Sequence, residues 1–309
     1  MPEIFRVSGI VALMRHAVMS ATYKPALLKA LARISKRSDN LSISLEELGE
    51  EFAKMYWNQV VVYHLRQAAS ISKESEVIRL ISKTSRDYGI RTFSELPEPG
   101  KGKIRAKMAR ILTINVLSAF HVSKPPDMPR LYDWSKGRAQ IALTSEAHEF
   151  LRSNSAVLEL IANYHWATFL EACNRLAPKV IQKVATDGAR RGSLVPYLRI
   201  LAEESAQQCF YCGDGFENGR GAVVDHVIPW SFLLEDPIWD LVLSCARCNS
   251  AKSDWLPENT FIDRLVRRNQ GALRSRLQGK ASMLFGAEDI ERLYQAAISL
   301  EWPRFWSPP

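Results

Sequence analysis

The chain has 309 residues, 47% hydrophobic and 24% charged, a balance ordinary for globular proteins, and its length suits two domains. No apolar run approaches the ~20 residues that cross a bilayer, and the run from Ile10 to Met14 is too short and interrupted for a secretory leader, so a cytoplasmic protein without membrane contact is expected. The net charge of +8 is unevenly spread: residues 1–195 hold 29 Lys and Arg against 18 Asp and Glu, whereas residues 196–309 hold 12 against 15.

Residues 8–36 space Ile10, Leu13, Met14, Val18, Leu27, Leu28, Leu31 and Ile34 by threes and fours, which predicts helix. Ser44 with Glu47 three residues on reads as a capping-box start. The helix it opens is expected to reach about Gln67, with Phe52, Met55, Tyr56, Val60 and Tyr63 as its core stripe. Further helices are expected over residues 74–88 and 103–120. Between them, residues 97–103 are rich in Pro and Gly and read as a turn-rich loop. Lys101, Lys103 and Arg105 there suit a phosphate-contacting hairpin or helix start, and equally a solvated basic loop. Residues 123–131 read as a second loop and residues 140–144 as a short strand. Thr144 or Ser145 then caps a helix through Leu151. A strong helix is expected over residues 156–176, with His165 packed among Tyr164, Trp166 and Phe169 rather than catalytic. Helices over residues 178–189 and 194–207 complete this part, and Gly188-Ala-Arg-Arg-Gly192 is the best boundary signal. The excess positive charge lies here, so a polyanionic partner would be held mainly by this part; a solvated helix surface is the other reading of the same charge.

The texture changes at Cys209. Of five cysteines, Cys173 stands alone, while Cys209-x-x-Cys212 and Cys245-x-x-Cys248 form two pairs. In a cytosolic chain such pairs point to metal rather than disulfides. Each pair turns two sulfurs toward one ion, and two pairs supply the four thiolates of a tetrahedral structural zinc, with Zn–S near 2.3 Å. The 32 residues between the pairs exceed the ~15–20 of a common zinc ribbon, so the insert does more than close a loop. Ala222-Val223-Val224 reads as a strand leading into Asp225-His226. Neighbouring strand side chains point to opposite faces, so a bend here, which Pro229 would help fix, is expected to bring both groups to one site. Asp225 offers an oxygen to a hard cation such as Mg²⁺, and His226 can take a proton from water. Asn249, placed by the second cysteine turn, offers an amide oxygen as a second ligand.

Val224-Asp225-His226-Val-Ile-Pro229 and Cys248-Asn249-x-x-Lys252-Ser253-Asp254 resemble the two signature halves of the HNH (ββα-metal) nuclease superfamily. The similarity extends to the HNH domain of RNA-guided CRISPR nucleases, which lacks the cysteine knuckles, and is closer to the cysteine-bearing HNH proteins of bacterial restriction and defence. The resemblance implies His226 as general base, Asp225 and Asn249 as ligands of one catalytic Mg²⁺ or Mn²⁺, and DNA products with 5′-phosphate and 3′-hydroxyl ends. It also implies a protein partner in a restriction or defence system. One position departs: where the family has Asn before a Leu-x-Leu run, this chain has Asp240. Ionised Asp accepts hydrogen bonds but cannot donate them, so Asp240 either braces the loop that carries His226 by accepting alone or weakens catalysis. Lys252, Arg247, Arg267 and Arg268, with the 101–105 group, are candidate nucleic-acid contacts. Pro257 near a helix start, a last helix over residues 287–301, and Trp302, Phe305 and Trp306 docking it complete the reading. The expected fold is α+β, mainly α. A basic helical domain over 1–192, for nucleic-acid or partner binding, precedes an HNH zinc-knuckle nuclease domain over 193–270 and a helical extension over 271–309.

Overall fold

A computed structural model describes residues 4–17, 19, 21–68, 75–186, 191–204, 207–216, 221–273, 275 and 286–308. The chain divides into two units, Met1–Arg175 with Val180–Gly188, and Leu176–Lys179 with Ala189–Pro309. Helices dominate and the sheets are small, so the fold class is α+β, mainly α.

In the first unit, α1 (Val7–Arg15) and α2 (Tyr23–Arg37) replace the single helix expected over residues 8–36. Position 18 of that stripe lies outside the described residues. The interruption has a cause. Thr22 turns its hydroxyl to Tyr56 and Gln67, both at 2.8 Å, and Ala21 bridges Ala68, so the chain is anchored there rather than wound on. Pro25 then sits in the first turn of α2, where its missing N–H costs nothing. α2 is buried almost all round and packs against α6 (Ser145–Ser153) and α7 (Ser155–Cys173). Its Lys29 is buried, and its ammonium donates to Asn163 Oδ1 at 2.8 Å and to the Val184 carbonyl at 3.0 Å.

Ser44 caps α3 (Leu45–Trp57) by accepting the Glu47 N–H at 3.1 Å. The α-helix stops short of Gln67 and passes into a π-turn, Asn58–Val62. Buried Gln59 and Gln67 explain the stop: the Gln67 amide donates to Gln59 Oε1 at 2.9 Å, and the chain reverses at His64, whose φ is 50°, to reach it. α4 (Glu76–Tyr88) is capped by Ser75; Glu74 lies outside the described residues. α5 (Glu98–Asn115) begins earlier than expected: Pro97 is its N-cap and Pro99 lies in its first turn, so the glycine-rich segment is a helix start. α3 and α5 approach closely at Gly49, where a Cβ would lie 2.8 Å from the Arg105 carbonyl oxygen. Strands β1 (Ser42–Ser44) and β2 (Gln140–Ala142) pair antiparallel with Ile43 opposite Ile141, both buried. Thr144 caps α6, accepting the Ala147 N–H. His165 is half-buried beside the exposed Tyr164 and lines a cavity of about 730 Å³ with Arg15, so it is not a core histidine. α8 (Val180–Ala185) ends the unit.

In the second unit, α9 (Val195–Glu204) packs on an antiparallel pair, β3 (Ala222–His226) and β4 (Leu241–Cys245). The boundary glycine Gly188 and residues 189–190 lie outside the described residues, as do residues 217–220 before β3. A four-residue helix, α10 (Trp230–Leu233), and a turn join the two strands. α11 (Ala246–Lys252) follows β4 and packs on both strands, completing a strand–strand–helix frame. α12 (Asn259–Arg268) and α13 (Ala287–Ser299) pack together. β5 (Leu256–Pro257) pairs with β6 (Arg304–Trp306), while Trp302 Nε1 donates to the Asp254 carbonyl at 3.0 Å. Trp302 and Trp306 are buried in the core with Phe232, Tyr211 and Tyr294; Phe305, expected beside them, is 61% exposed. Among the described residues no helix is long and apolar enough to cross a membrane.

Candidate active site and metal centre

The four paired cysteines come together first. Cys209 and Cys212 lie on a turn that Gly213 closes with positive φ, Cys245 ends β4 as N-cap of α11, and Cys248 lies within α11. Their sulfurs are all within 4.8 Å of one another, with Cys212 and Cys245 at 3.9 Å. A tetrahedron with Zn–S near 2.3 Å has edges of roughly 3.8 Å, so the cluster fits one four-coordinate zinc. Backbone donors face two of the sulfurs: the Cys245 N–H points at Cys209 Sγ and the Cys248 N–H at Cys245 Sγ, both at 3.4 Å. Burial pushes the Cys209 thiol up, but backbone N–H groups of Cys212, Cys245 and Tyr211 outweigh it and hold the group at about 7. Cys173 lies apart, in α7.

β3 stays regular through His226, which pairs with Leu241, so the expected bend at Asp225-His226 is absent. The chain turns only after the strand, where Pro229 is the N-cap of α10. Alternation therefore sends the two side chains to different partners. Asp225 Oδ2 accepts the Tyr211 hydroxyl at 2.8 Å and lies 3.3 Å from Lys252 Nζ. Among the described residues nothing hydrogen-bonds its Oδ1. His226 Nε2 lies 2.9 Å from Asp236 Oδ1. Burial, reinforced by Arg191 and Lys252, pushes the imidazole down to about 3, so the ring is neutral near pH 7. Asn249 sits half-buried on α11, directly after Cys248.

Lys252, expected as a nucleic-acid contact, is fully buried. Its ammonium donates to the His226 carbonyl at 2.6 Å and approaches Asp225 and the Tyr211 ring, so it ties α11 to β3. Arg268 is likewise spent internally: its guanidinium donates to the Leu241 carbonyl and, at 2.7 Å, to that of Trp239, where Asn269 also donates at 2.9 Å. Arg267 and Arg247 are exposed, Arg247 lying 3.4 Å from Asp214. In the first unit Arg105 bridges Glu50 and Glu98, both at 2.8 Å, and Lys101 lies 3.4 Å from Glu98; Lys103 is exposed.

Asp240 is fully buried. Its Oδ1 accepts the Ile228 N–H at 2.8 Å, and its carbonyl accepts the Val227 N–H at 3.0 Å, so it braces the segment that leaves His226. Among the described residues its Oδ2 has no hydrogen-bond partner, and burial pushes the carboxyl well above the usual range. It therefore takes the accepting half of an Asn's work.

Two side chains here were missed in the sequence. Tyr211 lies inside the first Cys-x-x-Cys turn, and its hydroxyl was a readable clue. Asp236 precedes Pro237 in the insert; an acid in an Asp-Pro turn signals only a loop until the fold brings it to His226. Arg191 also lies near, its guanidinium 5.2 Å from the centre of the Trp230 ring.

Residues 209–254 match the family model of the HNH endonucleases. The match spans both cysteine pairs, Asp225, His226, Asp240 and Asn249, and none of the helical first unit. A search of curated proteins finds no match. Among solved structures the chain is similar to the type II-C Cas9 of Actinomyces naeslundii, at 13% identity and a TM-score of 0.22, covering 94% of this chain and 44% of that one. At that level the likeness bears on neither fold nor function.

Proposed function

We propose that this protein is an HNH endonuclease that hydrolyses phosphodiester bonds of duplex DNA from a centre in residues 209–254. The observation that carries the proposal is the retention of Asp225, His226 and Asn249 together, within the matched segment, on a strand–strand–helix frame pinned by four clustered cysteines. A zinc-binding scaffold needs the cysteines but has no use for that trio.

His226 is the general base. Its neutral ring takes a proton from water, whose oxygen forms a bond to phosphorus. The P–O3′ bond breaks, the phosphate stays on the 5′-oxygen of the downstream nucleotide, and the departing 3′-oxygen takes up a proton from solvent. Asp225 and the Asn249 amide oxygen would offer hard donors to one Mg²⁺ or Mn²⁺, and such an ion would supply charge stabilisation at the phosphate and the leaving oxygen. Cys209, Cys212, Cys245 and Cys248 hold a structural zinc. Lys252 and Tyr211 keep Asp225 in place, and Asp240 holds the turn after His226. The basic first unit, with Lys103 among its exposed cations, supplies affinity for the DNA backbone, and Arg267 is an exposed cation of the second unit. The resemblance to restriction and defence proteins supports reading the activity as cytoplasmic and as part of phage defence with a protein partner.

The test is purified protein with supercoiled plasmid and Mg²⁺ or Mn²⁺, beside an EDTA control and His226→Ala. Nicking or linearisation that needs both metal and His226 is expected. Undiminished cutting by His226→Ala refutes the assignment of the base. Plasmid binding without cleavage under any condition favours the second reading, a zinc-knuckle binding module in which Asp240 marks a lapsed site.

A further inference from the structure

The loop from Val227 to Asp240 is more rigidly built than a connection between two short strands requires. It leaves β3 at His226 and returns at Leu241, which is paired with His226 itself. Just inside those ends, the Val227 and Ile228 N–H groups both bind Asp240. α10 ends at Leu234, whose φ of 54° reverses the chain. Pro237 then fixes the backbone beside Asp236, and its carbonyl accepts the Asp240 N–H at 2.9 Å. From outside, Arg268 and Asn269 grip the Trp239 carbonyl. The side chain presented by this pinned loop to His226 is Asp236, with Oδ1 2.9 Å from Nε2.

A carboxylate has only lone pairs to offer, so the ring nitrogen facing it must carry the hydrogen. A bare nitrogen at 2.9 Å from an anionic oxygen would set two lone pairs against each other. A neutral imidazole has one N–H, and placing it on Nε2 leaves Nδ1 as the lone pair able to take a proton. Among the described residues nothing hydrogen-bonds Nδ1. Asp236 is 22% exposed at its side chain; burial pushes its carboxyl up from the ordinary value, and Arg191 opposes that shift.

We propose that Asp236 is a positioning residue for the nuclease reaction: it locks His226 in the Nε2–H tautomer, fixes the ring plane, and so assigns Nδ1 as the atom that accepts the proton of the attacking water. Proton transfer then runs from water to Nδ1, and the resulting imidazolium keeps its Nε2–H on the Asp236 carboxylate. This rests on the assignment of His226 as the general base.

The experiment is long-range ¹H–¹⁵N NMR of the full chain near pH 7 without added magnesium, with the His226 signals identified by their loss in His226→Gln. Wild-type and Asp236→Asn proteins are compared. Asn has the volume of Asp but can turn either its oxygen or its NH₂ to the ring, so it preserves the loop while removing the constraint. Wild type is expected to show Nε2 protonated and Nδ1 bare. Asp236→Asn is expected to melt at the same temperature, to populate both tautomers, and to lose kcat by roughly 10–100-fold at unchanged KM, part of the 10²–10⁴-fold that a general base contributes. A protonated Nδ1 in wild type overturns the proposal. So does an unchanged tautomer in Asp236→Asn, or a changed tautomer with full kcat. Cleavage that survives His226→Ala would refute the base assignment, a separate result that the NMR comparison does not depend on.

Discussion

Tyr211→Phe removes one oxygen atom and isolates one link between the cysteine cluster and the strand that carries Asp225. The hydroxyl is fully buried and donates to Asp225 Oδ2 at 2.8 Å. Burial, with Asp225 opposite, pushes its ionisation well above the ordinary phenol value, so it remains a donor at every accessible pH. The ring keeps its edge contacts with Phe261 at 5.4 Å and Trp306 at 5.0 Å, so phenylalanine leaves the packing intact. What is lost is a hydrogen bond to an ionised group, about 1.5–3 kcal/mol. Asp225 keeps Lys252 at 3.3 Å, which prevents the larger cost of an unpaired buried charge. A loss of about 2 kcal/mol corresponds to a fall in Tm of roughly 4–8 °C for a unit of this size. The assay is thermal unfolding followed by tryptophan emission, since Trp230, Trp239, Trp302 and Trp306 all lie buried in the second unit. A Tm within about 1 °C of wild type would refute the claim that this hydroxyl couples the first cysteine turn to β3.

Three further outcomes are expected. Lys252→Met strips a buried ammonium from the His226 carbonyl and Asp225 and should cost about 3–5 kcal/mol, the range for breaking a buried pair; urea unfolding near wild type would show that the ammonium is not a tie. Cys245→Ser, or a strong chelator on wild type, should unfold the second unit, because a structural zinc contributes its binding energy to folding; an unchanged near-ultraviolet dichroism spectrum would argue against a structural metal. His121 is held neutral at about 4 by burial, with Arg130 and Lys124 adding to it, and its Nε2 accepts the Leu131 N–H at 3.0 Å. Its folded value lies below the unfolded one, so the contribution is full above about pH 6.5 and is lost as pH falls toward 4, by about 1.4 kcal/mol per unit. Replacing it by His121→Gln should flatten the dependence of stability on pH in that window; an unaltered slope would place the acid sensitivity elsewhere.

Much of the site is legible in the sequence because its chemistry is local. Two Cys-x-x-Cys turns put sulfurs in pairs whatever the rest of the chain does, and Ser44, Thr144 and the strand into Asp225-His226 follow from neighbours a few residues away. What spacing alone does not reveal is where a cation or an acid ends up. Lys252 and Arg268 look like surface charges in a motif associated with DNA, yet folding turns both inward onto carbonyl groups of β3, β4 and the loop between them. A buried backbone oxygen left without a donor costs free energy, and long basic side chains are able to reach it. The break between α1 and α2, and the π-turn after α3, follow from Thr22, Tyr56, Gln59 and Gln67 satisfying one another across as many as 45 residues. Helical periodicity has no knowledge of such partners. The sequence by itself determined the two cysteine pairs, the strand that carries Asp225 and His226, and a mainly helical chain, since each rests on residue type and short spacing. Only the tertiary structure decided that Tyr211 holds Asp225, that Asp236 faces His226 and that Asp240 braces by accepting alone, because hydrogen bonds between residues ten or more apart exist only once the chain is packed.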